Sequence, residues 1–381
     1  MKASVFLYPW DVVGDPDAPR RLAGLGVEQV TLASAYHSTR AVTPRHPRHR
    51  IVTAEYAAVL YPPGERWRGR RLRPYAAGDW APGDAYAEAA EALAGAGFEV
   101  HSWVVLAHNS RLGAEYPDVC VVNAYGDRYP WAPCIAQPAT RAYLVELAAE
   151  AAVRPGARGT ELESCGWYGF AHLNAHDKTG GVALGDAGQY LMSLCFCPVC
   201  RGGYEESGLD PDELAGLVRA ALEPVWAGGA SDRLPDADWV RVTLGYRSRV
   251  ARELQEAVVA AVRAAADGGF RVLLHADPVA YHCGANAGVD PAHVMAVADG
   301  VVVPCAGGAG LVGPFAESAG AASVVAANLT VVSGMGGRPD SLAQDVARAA
   351  DLGATELRLY HAGLASNADL DAVRKFFCQK H

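Results

Sequence analysis

Along this 381-residue chain, eight short apolar runs suited to strands alternate with segments suited to helices. Few architectures accommodate that rhythm, because strands alternating with helices build a parallel sheet covered by helices. The strand-like runs are Ser4–Tyr8, Val27–Ala33, Glu99–Leu106, Gly159–Glu163, Arg271–His275, Gly300–Pro304, Ser323–Val332 and Glu356–Tyr360. Several are nearly unbroken apolar stretches, as expected of strands buried on both faces. Helical spacing marks Pro16–Leu25, Asp84–Ala96, Ala139–Ala152, Trp239–Ala266, Ser341–Leu352 and Asn367–Phe377, with a fainter pattern over Gly310–Ala319. Gly26, Gly97, Gly269 and Gly353 each precede a strand, where glycine tolerates the left-handed turn that ends a helix. Eight such units predict a closed (β/α)₈ barrel, with residues 1–381 forming one catalytic domain, in preference to an open doubly wound sheet.

Two stretches break the rhythm. One, about 38–82, follows the second strand and is rich in Arg and Pro, with RHPRHR at 45–50 and RWRGRRLR at 66–73. The other, about 164–235, follows the fourth strand. Both leave C-terminal strand ends, where barrels of this kind assemble their sites, so both are expected to shape a pocket. No internal repeat or heptad pattern is present.

With 51% of its residues apolar the chain can bury a large core, and its formal charge of −9 argues against a general polyanion binder. A nucleic-acid partner is therefore not expected. The first residues lack a signal-peptide pattern and no stretch is long and apolar enough to cross a bilayer, so no membrane role is expected. The nine cysteines are odd in number, and three crowd into Cys195-Phe-Cys197-Pro-Val-Cys200. That crowding suits a metal site in a reducing compartment better than a disulfide framework, which points to the cytoplasm. The oligomeric state stays open, a homo-oligomer included.

The fourth strand reads Glu161-Leu-Glu163-Ser-Cys165. With a side-chain period of two, Glu161, Glu163 and Cys165 should share a face, Glu163 falling near the mouth of the barrel. A carboxylate there is costly to desolvate and is a candidate proton donor; the alternative is a structural ion pair with an arginine. The fifth strand continues into His275-Ala-Asp277-Pro-Val-Ala-Tyr281-His282. Asp277 would give a second carboxylate for acid–base work on a glycosidic bond, or would act only as a turn residue before Pro278. His37, His108, His172, His176, His275 and His361, with Asn109, follow or end strands and could converge on one rim for hydroxyl recognition, proton transfer or metal binding. His172 and His176 have the spacing of a helical metal pair but lack the Glu of His-Glu-x-x-His. Trp10, Trp167, Tyr168 and Tyr281 could stack on sugar rings or simply pack in the core. Three thiolates at 195, 197 and 200 would bind Zn²⁺, which needs a fourth ligand; Cys134, Cys165 and a nearby His are the candidates.

These pieces together resemble the glycoside hydrolase family 42 β-galactosidases, retaining barrels of clan A, over about the first two thirds of the barrel. Tyr129-Pro-Trp-Ala-Pro-Cys134 is similar to one segment of that family and Leu194-Cys195-Phe-Cys197-Pro-Val-Cys200-Arg201 to another. The resemblance implies a structural zinc on Cys134, Cys195, Cys197 and Cys200, and Glu163 as acid/base. The chain departs from the family in two places. Leu162 stands where the family has Asn, and Ser323–Gly337 holds no acid where the family carries its nucleophilic Glu. The overall pattern also resembles a bacterial branch of glycosidase-like barrels.

The leading expectation is a carbohydrate-active enzyme that cleaves a small glycoside or oligosaccharide, with Glu163 as general acid and Asp277 as nucleophile or base. Two others are a zinc-dependent lyase or hydrolase using Glu163, Cys165 and the rim histidines, and a sugar-binding barrel without catalysis. The arginines of 38–82 would either favour an acidic substrate through bidentate pairing or form a solvated surface loop.

Overall fold

The computed structural model describes residues 1–171, 177–231 and 233–379. Eight strands pair in parallel and in chain order: β1 (Lys2–Leu7), β2 (Gln29–Tyr36), β3 (Glu99–Val105), β4 (Ala157–Glu163), β5 (Arg271–Asp277), β6 (Gly300–Pro304), β7 (Val324–Thr330) and β8 (Glu356–Tyr360). β1 also pairs with β8, Lys2 opposite Glu356 and Val5 opposite Leu359, so the sheet closes on itself. Closure leaves no edge strand to be protected.

A helix follows each strand: α1 (Ala18–Ala23), α2 (Ala85–Gly95), α3 (Pro138–Ala152), α4 (Asp238–Ala265), α5 (Pro291–Val297), α6 (Gly313–Ser318), α7 (Leu342–Asp351) and α8 (Asn367–Cys378). The expected (β/α)₈ barrel is therefore present. Gly26, Gly97, Gly269 and Gly353 all take positive φ, between 83° and 97°, ending the helical run ahead of the next strand. The sequence pattern passed over α5, a helix of seven residues, although Asp290 caps it by accepting from His293 N–H and Pro291 opens it.

Between β2 and α2 a hairpin pairs Thr39–Val42 with Ile51–Ala54. Several arginines of the 38–82 stretch are engaged away from the barrel mouth. Arg45 donates to the carbonyls of Ala362, Gly363 and Ala365 after β8, while Arg66 and Arg70 approach Glu146 on α3 and Arg71 pairs with Asp118. Between β4 and α4 lie helices Gly185–Met192, Pro198–Glu206 and Pro211–Trp226. A third excursion, after β3, carries helix Ser110–Glu115 and the antiparallel ribbon of Cys120–Val122 with Arg128–Pro133; the sequence pattern did not announce it.

The lower barrel interior is polar. Glu161 and Arg358 are fully buried and joined at 2.5 Å. Thr31 donates to Glu161 at 3.1 Å and lies 2.9 Å from Ser4, and Arg358 donates to Glu356 at 2.9 Å. Burial works against an ionised Glu161, but the Arg358 guanidinium, helped by His275 and His101, holds its pKa down at about 2. Of the two acids on β4, Glu161 is thus the structural ion pair.

Two consequences follow for stability. Removing one member of a buried pair strands the other, so Glu161→Gln is expected to lose about 3–5 kcal/mol in urea unfolding; a loss below about 1 kcal/mol would contradict this reading of the pair. Because the folded pKa is lowered, the contribution of Glu161 is present above the ordinary carboxylate value of 4.5 and fades as the pH falls from there toward 2.

Candidate active site

Side chains alternate along β4, so the residue two after Glu161 rises one layer toward the C-terminal mouth. There Glu163 lines a cleft of about 1550 Å³, larger than the usual 300–1,000 Å³ of small-molecule sites. Trp103 on β3 donates its indole N–H to Glu163 Oε2 at 2.8 Å, fixing the carboxylate from below. Tyr36, Tyr168 and Tyr360 also line the cleft. Burial first, and the nearby Glu163 charge among other groups, raise all three phenol pKa values, so these hydroxyls keep their protons and remain donors.

The strand period fails just beyond Glu163. Ser164 takes φ 56°, a left-handed conformation uncommon for a residue with a side chain. Cys165 is thereby turned into packed core, 1% exposed, where burial pushes its thiol up to about 12. It lines no part of the cleft and belongs to no potential metal cluster among the described residues.

Asp277 closes β5 and lines the cleft. Its Oδ1 accepts from Val279 N–H at 2.8 Å, the turn role weighed for a residue before Pro278. Its Oδ2 lies 2.9 Å from His282 Nδ1, and His282 Nε2 lies 3.4 Å from Asp186. The hydrogen bond with Asp277, outweighing burial, raises the His282 pKa. His275, 4% exposed, lines the floor and sits 3.7 Å from Glu161 through Nε2.

The other expected rim residues divide sharply. His37 and His108 line the cleft, His37 against Tyr36 with centroids 4.1 Å apart and His108 stacked on Tyr168 at 4.2 Å. Tyr281 lines it as well. Trp10 does not: it is buried against Tyr8, which takes the cleft position instead. Trp167 lies outside, its N–H donated to the Arg247 carbonyl at 2.9 Å and its ring under the Arg247 guanidinium. Asn109 caps the helix Ser110–Glu115 by accepting from Leu112 N–H at 2.9 Å. His361 is fully buried beneath the mouth, stacked on Tyr8 at 4.4 Å and accepting from Gly363 N–H. His172 and His176 lie outside the described residues. From the Arg-rich stretch, Arg40 lines the cleft.

Sequence reasoning missed Trp103, Tyr8, Tyr36, Tyr360, His282, Asn286 and Asn328, all on the cleft wall. His282 stood in the quoted strand-five segment, but nothing local tied it to Asp277. Asn328 and Asn286 each leave Oδ1 buried without a hydrogen-bond partner.

Away from the cleft, Cys134, Cys195, Cys197 and Cys200 are buried, their sulfurs all within 4.8 Å of one another. Cys134 Sγ lies 3.5 Å from Cys200 Sγ and 3.7 Å from Cys197 Sγ. Four sulfurs bonded at ~2.3 Å to one tetrahedral ion stand about 3.8 Å apart, so the cluster fits a metal ion. Contacts from Cys134, Cys195 and Cys200 hold the Cys197 thiol well below its ordinary pKa, while Cys134 is pushed up by its sulfur neighbours and Cys200, against the pull of Cys134, by Cys195, Cys197 and burial. The β3 excursion delivers Cys134 and the β4 insertion delivers the other three, so an ion would tie two otherwise separate loops.

No protein-family model matches the chain, and no curated protein matches it in sequence. Solved structures do match in fold. An α-L-fucosidase isoenzyme from Paenibacillus thiaminolyticus superposes with TM-score 0.60 at 13% identity, over 100% of this chain and 49% of that one. The PgaB glycoside hydrolase domain of Bordetella bronchiseptica gives 0.59 at 16%, over 99% of both chains. A GH42 β-galactosidase from G. stearothermophilus gives 0.56 at 10%, over 99% of this chain and 56% of that one. The chain thus spans about half the length of the fucosidase and of the β-galactosidase. At these identities the likeness is one of fold, and it bears out the remote resemblance to clan A glycosidases.

His361 supplies a check on this placement. Burial, with the Arg45 charge, lowers its pKa to about 3. The unfolded chain takes up a proton near 6.5 that the folded chain refuses, so this residue weakens the fold as the pH drops from 6.5 toward 3. The difference in urea stability between wild type and His361→Gln should change with pH in that window, by up to about 1.4 kcal/mol per pH unit. A difference independent of pH would place His361 in solvent.

Proposed function

We propose that this chain is a glycoside hydrolase, a single catalytic barrel acting on a small glycoside or oligosaccharide with Glu163 as general acid and base. The observation that carries the reading is the position of Glu163: at the strand-four end, in an open cleft, with Trp103 N–H on one oxygen. A carboxyl so held can protonate the oxygen leaving the anomeric carbon and later take a proton from water. The cleft walls carry Tyr8, Tyr36, Tyr168 and Tyr281, whose rings suit the apolar faces of sugars and whose hydroxyls suit sugar oxygens. The fold neighbours, a fucosidase, a β-galactosidase and a glycoside hydrolase domain, support the same chemistry.

Asp277 enters this scheme differently from the sequence expectation. With one oxygen on the Val279 amide and the other on His282, it orients that imidazole toward the cleft. The zinc-dependent lyase gains no support, since Cys165 is turned away and no cluster of three cleft ligands is found among the described residues. A sugar-binding barrel without catalysis draws on one observation, the absence of an acid from β7 (VVAANLT).

Glu163→Gln tests the leading reading. Turnover of an aryl or oligosaccharide substrate should fall by about 10²–10⁴-fold with little change in thermal midpoint. Undiminished turnover would remove Glu163 from the chemistry, and sugar binding in calorimetry with no product from the wild type would favour the binding barrel.

The four cysteines hold, in this proposal, a structural Zn²⁺. One zinc per chain is expected by metal analysis, and Cys197→Ser should lose it and lower the thermal midpoint. Retention of a full equivalent of zinc in that variant would overturn the assignment.

A further inference from the structure

Resting on the glycosidase reading, we propose that the nucleophile is carried by the substrate, and that the cleft is built for a 1,2-trans 2-acetamido-2-deoxyglycoside. A retaining cleavage needs a group that attacks the anomeric carbon from the face opposite the acid. Glu163 is on β4, and the strands across an eight-membered ring from it are β8 and its neighbour β7. These bring Asn328, Thr330 and Tyr360 to the cleft, an amide and two hydroxyls but no carboxylate.

The remaining acids of the cleft, among the described residues, are poorly suited. Asp277 has both oxygens engaged and stands on the strand adjacent to Glu163. Asp186 has a side chain 63% exposed and reaches toward His282. Glu55 is exposed on the hairpin after β2.

What the far wall does offer is a side-chain amide. Asn328 Oδ1 is buried with no protein partner, and Asn286 Oδ1, also on the cleft, is in the same condition. An amide oxygen left unpaired is poorly satisfied, and a turn about the broad last torsion of the Asn328 side chain, which lines the cleft, presents it to a ligand N–H. An acetamido group matches an Asn side chain, its N–H donating to the Asn oxygen and its carbonyl accepting from the Asn amide.

The chemistry balances without further reagents. The acetamido carbonyl oxygen bonds to C1 as the C1–O bond to the leaving group breaks, and the leaving oxygen takes the Glu163 proton. The resulting oxazolinium N–H is held by Asn328. Water then adds to C1 and gives its proton to Glu163, the C1–O bond to the acetamido oxygen breaks, and the amide is restored. Two inversions at C1 give net retention.

The test uses the full chain with 4-nitrophenyl glycosides of one and two sugars. The 2-acetamido-2-deoxy-β-glucosides should be cleaved with retention by NMR, and a thiazoline mimic of the oxazoline should inhibit. Replacing the N-acetyl by N-trifluoroacetyl weakens the attacking oxygen and should lower kcat, and Asn328→Ala should lower it on the order of 10²-fold. Cleavage of β-galactosides or β-glucosides with no advantage for the acetamido sugar, indifference to fluorination, or an inverted product would overturn the inference while leaving Glu163 a glycosidase acid. Cleavage of no glycoside at all, oligosaccharides included, would overturn the glycosidase reading with it.

Discussion

Glu161 and Arg358 stand on β4 and β8, opposite members of the ring, and their bond crosses the barrel interior. A charge pair in that place is stable only because each partner is satisfied again from the side, Glu161 by Thr31 and Arg358 by Glu356. The pair fixes the height of β4 relative to the far wall. Since Glu163 follows Glu161 by one strand period, the same bond decides where the cleft carboxylate stands and what it faces across the mouth.

Above that polar floor the interior becomes aromatic. Phe6, Trp103, Tyr8 and Tyr36 pack ring against ring, with Trp103 edge-on to Tyr36 at 4.6 Å. Rings stiffen the wall that carries the indole N–H to Glu163, and they exclude water from one side of the carboxylate. The opposite wall presents Asn328, Thr330 and Tyr360, and the long loops after β2 and β4 raise the rim of the cleft. Chemistry proposed for this cleft follows from that asymmetry: a held carboxyl on one side and the unpaired amide of Asn328 on the other.

Much of the frame was legible in the sequence. Gly300–Pro304 and Glu356–Tyr360 fall where their apolar runs predict, and glycines with positive φ mark the strand entries. Three of the four cysteines were legible too, because thiol crowding is rare without a reason, while Cys134 was singled out only by the family resemblance. The site was less so. Period-two reasoning placed Cys165 beside Glu163, and a single left-handed residue, Ser164, defeated it. Trp10 and Tyr8 are two positions apart, and only long-range packing decides which reaches the cleft. His361 and Asn109 carry the right chemistry for a rim but are consumed by the buried stack on Tyr8 and by a helix cap. Trp103 reads locally as one more core aromatic, and its bond to Glu163 exists only once β3 and β4 are in register, Trp103 opposite Glu161.

The most direct test of the central claim removes the carboxylate and offers a replacement. With Glu163→Ala and an activated aryl glycoside that the wild type cleaves, added azide should restore turnover and appear in the product as a glycosyl azide, because in the proposed reaction the space before Glu163 adjoins the anomeric carbon. A Glu163→Ala protein that turns over at the wild-type rate and ignores azide would contradict the account.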